Sequence, residues 1–211
     1  MLKVTLRSMR AHVARLVLTT LVVLMGVSFV VSIQVLTDTM RDGYDQLFTD
    51  LNQGFDAVVR SSEKVTNAFG GEERGPVPAV AVARLDDIPG VRAVAGGVQD
   101  EARLIGPDGE LVETVGGGPV WSSNWVEDEG INTWKIVAGR PPAGEGEAVV
   151  DQAMAEDRGI VVGTEVAMPA AARTERFTVV GVARFGTSRS LAGASAVLFH
   201  TPVSQRLFEE G

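Results

Sequence analysis

The chain has 211 residues, 45% of them hydrophobic and 22% charged, enough for one ordinary domain with an accessory segment. It carries a net charge of -8 and no cysteine, which excludes a disulfide framework and any thiolate metal site. Lys3, Arg7, Arg10 and Arg15 fall in the first 15 residues without an acid among them, leaving 15 basic residues against 27 acids, or -12, for the rest. Such an acidic body repels nucleic acid, whereas the basic tip suits anionic lipid headgroups.

Within that tip Leu2, Leu6, Met9 and Val13 recur at helical spacing, as in an interfacial helix. From Leu16 to Leu36 there follow 21 residues without a charge. As a helix they measure roughly 31 Å, which matches the hydrocarbon thickness of a bilayer. Basic residues precede the run and Asp38, Asp42, Asp45 and Asp50 follow it, so the positive-inside rule places the N-terminus in the cytoplasm and the remainder outside. A cleaved signal peptide shares the basic start, but its apolar region is shorter and ends in a small-x-small site. Beyond the span, Met40, Tyr44, Leu47, Phe48, Leu51 and Phe55 make an amphipathic stripe, which predicts a helical stalk over residues 37–54. Such a stalk either transmits movement or simply attaches a domain.

After the stalk the pattern changes to short strands and turns. Phe55–Arg60 is predicted as a strand, Ser62–Pro78 as a loop and Ala79–Leu85 as a short helix stopped at Ile88-Pro89-Gly90. Val98–Ile105 and Glu110–Val115 flank Gly106-Pro107-Asp108-Gly109, a hairpin turn. The glycines at 116–118 form a connector rather than a phosphate loop, because no Gly-Lys-Ser/Thr follows them. Glu147–Val150 is predicted as a strand and Asp151–Arg158 as a helix, capped by Asp151 and ended by Gly159. Strands are predicted at Thr164–Met168, Arg176–Val182 and Ala196–Phe199, with a helix over Thr201–Glu210. The mixture is α+β rather than a regular doubly wound sheet.

Chemistry is sparse. His12 and His200 fall on opposite sides of the membrane in this topology, and no zinc or calcium motif occurs. Glu72-Glu73, Asp86-Asp87 and Glu127-Asp128-Glu129 lie in polar, turn-like stretches and read as solvated loop charge. Ser122-Ser123, Ser188 and Ser190 have no His or Lys base within motif distance. Trp121, Trp125 and Trp134 offer either a binding surface or, the reading favoured here, packing residues of which at least two are core. No catalytic, cofactor-binding or metal-binding constellation is found.

The stretch from Trp125 to Gly186, including INTWKIVAGRPPAGEGEAVVDQAMAEDRGIVVGTEVAM, resembles the extracytoplasmic core of FtsX/MacB-type ABC transporter permeases. The family's turn, strand, helix and glycine pattern maps onto Gly139-Arg140-Pro141-Pro142, Glu147–Asp151, Gly159–Gly163 and Val179-Val180-Gly181. Residues 6–40 resemble the family's first membrane segment. The resemblance implies a MacB-like core over residues 55–211 and scaffold duties for Gly139, Arg140, Pro141, Glu147, Asp151, Gly163 and Gly181. It implies a noncatalytic permease part without cofactors, partnered by membrane lipid, a cytoplasmic ABC ATPase on a separate subunit and a second permease copy or homologue. The role implied is export of lipid, lipoprotein, peptide or drug, or signalling. Family permeases have at least four membrane helices, so the one helix here reads as the first of several in a fragment or truncated product. A stand-alone anchored binding domain is the alternative.

Overall fold

The computed structural model describes residues 2–51, 55–66, 72–114, 117–169, 173–189, 191 and 193–208. It divides into two units, Met1–Gln46 and Leu47–Gly211, each with its own internal packing.

The first unit lies on α1 (Leu2–Leu51), one helix of 50 residues. The section His12–Asp45 is long and apolar enough to cross a membrane, and none of its most apolar stretch is buried within the protein. Leu16 and Leu36 are 69% and 61% exposed. Thr19 donates its hydroxyl to the Arg15 carbonyl at 2.6 Å, and Thr37 and Thr39 donate to Ile33 and Val35 at 2.9 and 2.8 Å. Bonding back to the preceding turn satisfies these hydroxyls on the helix itself. Side chains of residues 1–11 and 46–51 are outside the description, and with them Lys3, Arg7, Arg10 and Leu47, Phe48 and Leu51 of the stalk stripe; residues 52–54 of the expected stalk lie outside the described residues.

The second unit begins with a hairpin, β1 (Lys64–Thr66) paired antiparallel to β2 (Glu72–Arg74). Two expectations need correcting here. Residues 55–63 form no strand, because Val58 and Val59 are exposed and the alternation has no neighbour to pair with. The stretch expected as a plain loop holds β1 and β2. Helix α2 (Ala79–Asp86) follows, with no buried residue.

Seven further strands build one mixed sheet: β3 (Gln99–Ala102), β4 (Val120–Asn124), β5 (Trp134–Gly139), β6 (Glu147–Asp151), β7 (Glu165–Pro169), β8 (Thr174–Phe185) and β9 (Ser195–Phe199). The order is β3-β4-β9-β6-β8-β5, with β7 also on β8. Since β6 takes one edge of β8, the other edge is shared, β7 along residues 174–178 and β5 along residues 181–185. Ile105 and Ala167 exchange backbone hydrogen bonds of 2.7 and 2.9 Å. The chain just after β3 is thereby tied to β7 at the far end of the strand order, and the sheet curls back on itself.

Strands β4 and β5 are absent from the sequence reading. Three of the five residues of β4 are serine or asparagine, and β5 contains an irregularity between Ile136 and Ala138 that breaks the two-residue period. Conversely, residues 110–114 contribute only the single bridge Ile105–Leu111, although the turn before them closes with Gly106 N–H donating to the Glu110 carbonyl at 2.8 Å.

Helices α3 (Gln152–Arg158) and α4 (Thr201–Phe208) complete the domain. Met154 of α3 and Val203 of α4 are buried with Val150, Val197, Phe177 and Phe199 against one face of the sheet. The other face holds a second cluster of Trp125, Trp134, Val149, Ala183, Phe185, Ala196 and Leu198. Trp134 meets Phe185 edge-on at 5.1 Å, an orientation that sets ring edge against ring face. Two of the three tryptophans are thus core residues, and Trp121 is half-buried.

Candidate functional site

The residues singled out from the sequence meet mainly where β5, β6, β7 and β8 converge. Gly139, at the end of β5, pairs with Gly181 of β8. Gly139 has φ +73°, and a Cβ there would run into the Val180 carbonyl, while one at Gly181 would run into the Arg140 carbonyl. Two backbones approach so closely here that neither position has room for a side chain. Arg140 N–H then donates to the Val180 carbonyl at 3.0 Å.

Arg140 and Glu147 close the loop between β5 and β6. The guanidinium donates to Glu147 through both terminal nitrogens, Nη1 to Oε2 at 2.8 Å and Nη2 to Oε1, and Nη1 also reaches the Pro141 carbonyl at 3.1 Å. Glu147 Oε2 accepts the Ala143 N–H at 2.9 Å. The Arg140 guanidinium, with the Ala143 N–H second, holds the Glu147 carboxyl well below the usual carboxylate range, at about 2. The two side chains are 55% and 24% exposed, so solvent screens the pair and its main effect is to fix the loop's shape.

Gly163 sits beside this junction at φ +96°, and its N–H donates to the Val179 carbonyl at 2.7 Å. Asp151 lies at the opposite end of β6 from Glu147. Its Oδ1 caps α3 by accepting the Met154 N–H at 3.3 Å, and Gly159 ends that helix in the left-handed conformation. Arg15, Leu16 and Leu36 belong to the other unit. Lys3, Arg7 and Arg10 have undescribed side chains.

Other residues fasten the domain and were not legible beforehand. Asn124 donates from Nδ2 to the Gly96 carbonyl at 3.0 Å and to Thr201 Oγ1 at 3.1 Å, while its Oδ1 accepts the Val98 N–H at 2.8 Å. One buried amide thereby joins β4, the 96–98 segment and the start of α4. Arg206 of α4 grips Glu175 of β8 through two nitrogens, at 2.7 and 3.0 Å. Only pairings distant in sequence create these contacts, so no local pattern announces them.

The junction is built from strand pairing, two close backbone approaches and one ion pair. No group of three His, Asp or Glu side chains capable of holding a metal occurs among the described residues. His200 stands 3.9 Å from Glu127, and Ser190, one of the serines considered as nucleophiles, lies outside the described residues. What the junction can do is hold four strands in fixed register and link their ends to α3 and α4.

Residues 16–210 match the MacB-like periplasmic core domain family. The chain belongs to that family. It is therefore a component of the ABC transporter permease class with an extracytoplasmic domain. Among solved structures, the periplasmic region of MacB from Actinobacillus actinomycetemcomitans matches with 12% identity and a TM-score of 0.45, over 63% of this chain and 58% of that one. A domain assigned to a permease protein of Porphyromonas gingivalis matches with 16% identity and a TM-score of 0.41, over 57% of this chain and 55% of that one. The chain thus spans somewhat more than half the length of either. No curated protein matches it.

Proposed function

We propose that this chain is the membrane-spanning permease part of an FtsX/MacB-type ABC transporter, oriented with its N-terminus in the cytoplasm and its core domain outside. In this reading a separate cytoplasmic ATPase drives movement that α1 carries outward, for export of lipid, lipoprotein, peptide or drug, or for signalling. A second permease copy or homologue completes the membrane part. The observation that carries the reading is the presence, in one chain, of a span-length apolar helix and a core domain of this family. The basic tip supports the orientation. The unbroken course of α1 from Leu2 to Leu51 supports coupling, because a continuous helix is stiff along its axis.

The absence of cysteine makes the test simple. Single-cysteine variants Ser8→Cys and Ser62→Cys are treated in intact cells with a membrane-impermeant maleimide. Labelling at position 62 and protection at position 8 are expected, and the reverse pattern overturns the orientation. A cross-linker anchored at position 8 should then capture an ABC-type ATPase, and failure to recover one from native membranes overturns the coupling role.

A further inference from the structure

Among the described residues of the second unit, one carboxylate is completely buried. Asp151 is 0% exposed and stands where β6 passes into α3. Its Oδ1 receives two backbone donors from different elements, Met154 N–H of α3 at 3.3 Å and Ala196 N–H of β9 at 3.2 Å. Its Oδ2 is buried and accepts no hydrogen bond. One oxygen therefore ties a helix to a central strand, while the other leaves part of a buried charge uncompensated.

We propose that Asp151 is a proton-operated lock, which takes up a proton on Oδ2 in mildly acid surroundings and so removes a buried charge from the junction of α3 with β9, stabilising the domain there. Protonation there removes the charge and leaves Oδ1 free to keep both N–H groups. Burial pushes the carboxyl up to about 6, against the weaker downward pull of the Ala196 and Met154 N–H groups, the Ser195 hydroxyl and the Ala153 N–H. The neighbouring elements do little to neutralise the charge. β9 has no ionisable residue. On β8 the residue opposite Asp151 is Ala183, and Arg184 beside it is exposed. Glu147 on β6 is taken by Arg140. On the 186–194 segment Arg189 is spent on α3 itself, 2.8 Å from Glu156 and 3.9 Å from Asp157. Arg158 of α3 turns away to the Glu113 carbonyl at 2.9 Å.

Arg189 is fastened at the same place, since Ala153 N–H donates to its carbonyl at 3.1 Å. Ionising Asp151 thus strands a desolvated charge where α3, β9 and Arg189 meet, a cost that outweighs the stronger N–H bonds to a carboxylate. The sign follows from linkage. A carboxyl whose folded value lies above its unfolded one gives stability that is complete below the unfolded value of 3.8 and is lost as pH rises through about 6.

The test is urea unfolding of the full chain in detergent, followed by tryptophan fluorescence, for the native protein and for Asp151→Asn, which retains an oxygen for the two N–H groups. Relative to the variant, the native unfolding constant should fall about tenfold from pH 7.5 to pH 5. Parallel profiles overturn the proposal, and the comparison cancels the two histidines present in both proteins. Should the variant fail to fold, amide exchange in the native chain decides. Protection of the Met154 and Ala196 amides, corrected for intrinsic exchange, should rise about tenfold over the same interval. Unchanged protection overturns the lock.

Discussion

Two apolar runs in this chain meet opposite fates. Leu16–Leu36 of α1 is left exposed along its length, with Leu24 at 59%, whereas Leu198 and Phe199 of β9 are 0% exposed, enclosed by β4, β6 and the clusters on both sheet faces. Both are apolar and free of charged residues, and length separates them. A run of 21 residues closes its backbone hydrogen bonds within one helix and can meet lipid directly. A five-residue strand cannot, and finds its donors and acceptors only in neighbouring strands. The first is legible as a span from sequence alone because it needs no partner, whereas the second is legible as a strand at Ala196–Phe199 but shows its neighbours only in the sheet.

Substitutions can separate the two. Phe199→Ala should have the largest effect, about 3–5 kcal/mol of domain stability, through the cavity left beside Phe177. A lowered urea midpoint with unchanged carbonate-resistant membrane association is expected. Leu24→Arg should do the converse, disfavouring insertion by about 2.5–3.5 kcal/mol while tryptophan emission stays native, since all three tryptophans lie in the second unit. If either substitution disturbs both readouts equally, the runs do not act independently. Gly139→Ala should cost about 2 kcal/mol, because φ +73° and the Val180 carbonyl both oppose a side chain. Circular dichroism against urea measures that loss, and a stability within experimental error of native would contradict the close approach of β5 and β8.

Glu147→Gln should have the smallest effect at neutral pH and a distinct one in acid. A carboxyl whose folded value is depressed to about 2 contributes stability above its unfolded value of 4.5, and loses it as pH falls toward 2. The variant should be less acid-sensitive across that interval, the opposite direction from the Asp151 contribution. An acid unfolding curve superimposable on the native one would show that the exposed pair with Arg140 gives nothing.

Local signals explain most of what the sequence shows. The cap and stop of α3 are legible because Asp151 and Gly159 act on residues within four positions. The same holds for the turn at Gly106–Gly109, which closes on itself. Of the scaffold residues, the family pattern points to Gly139 and Gly181, but only the fold shows that they face each other across 42 positions. The strand expected at residues 55–60 has the right alternation and no partner, while β4 has partners and a poor pattern. Strand character is settled by neighbours more than by composition.

The position of β9 bears on mechanical strength. It lies in the interior of the strand order, bonded to β4 on one side and β6 on the other, and its last residue is separated from α4 by His200 alone. Tension applied through α4 pulls β9 along its own axis, loading the bonds to both neighbours in shear so that they must yield together. An edge strand under the same load would unzip one bond at a time. The domain should therefore resist force delivered through its final helix far better than force that peels β3 from the sheet's border.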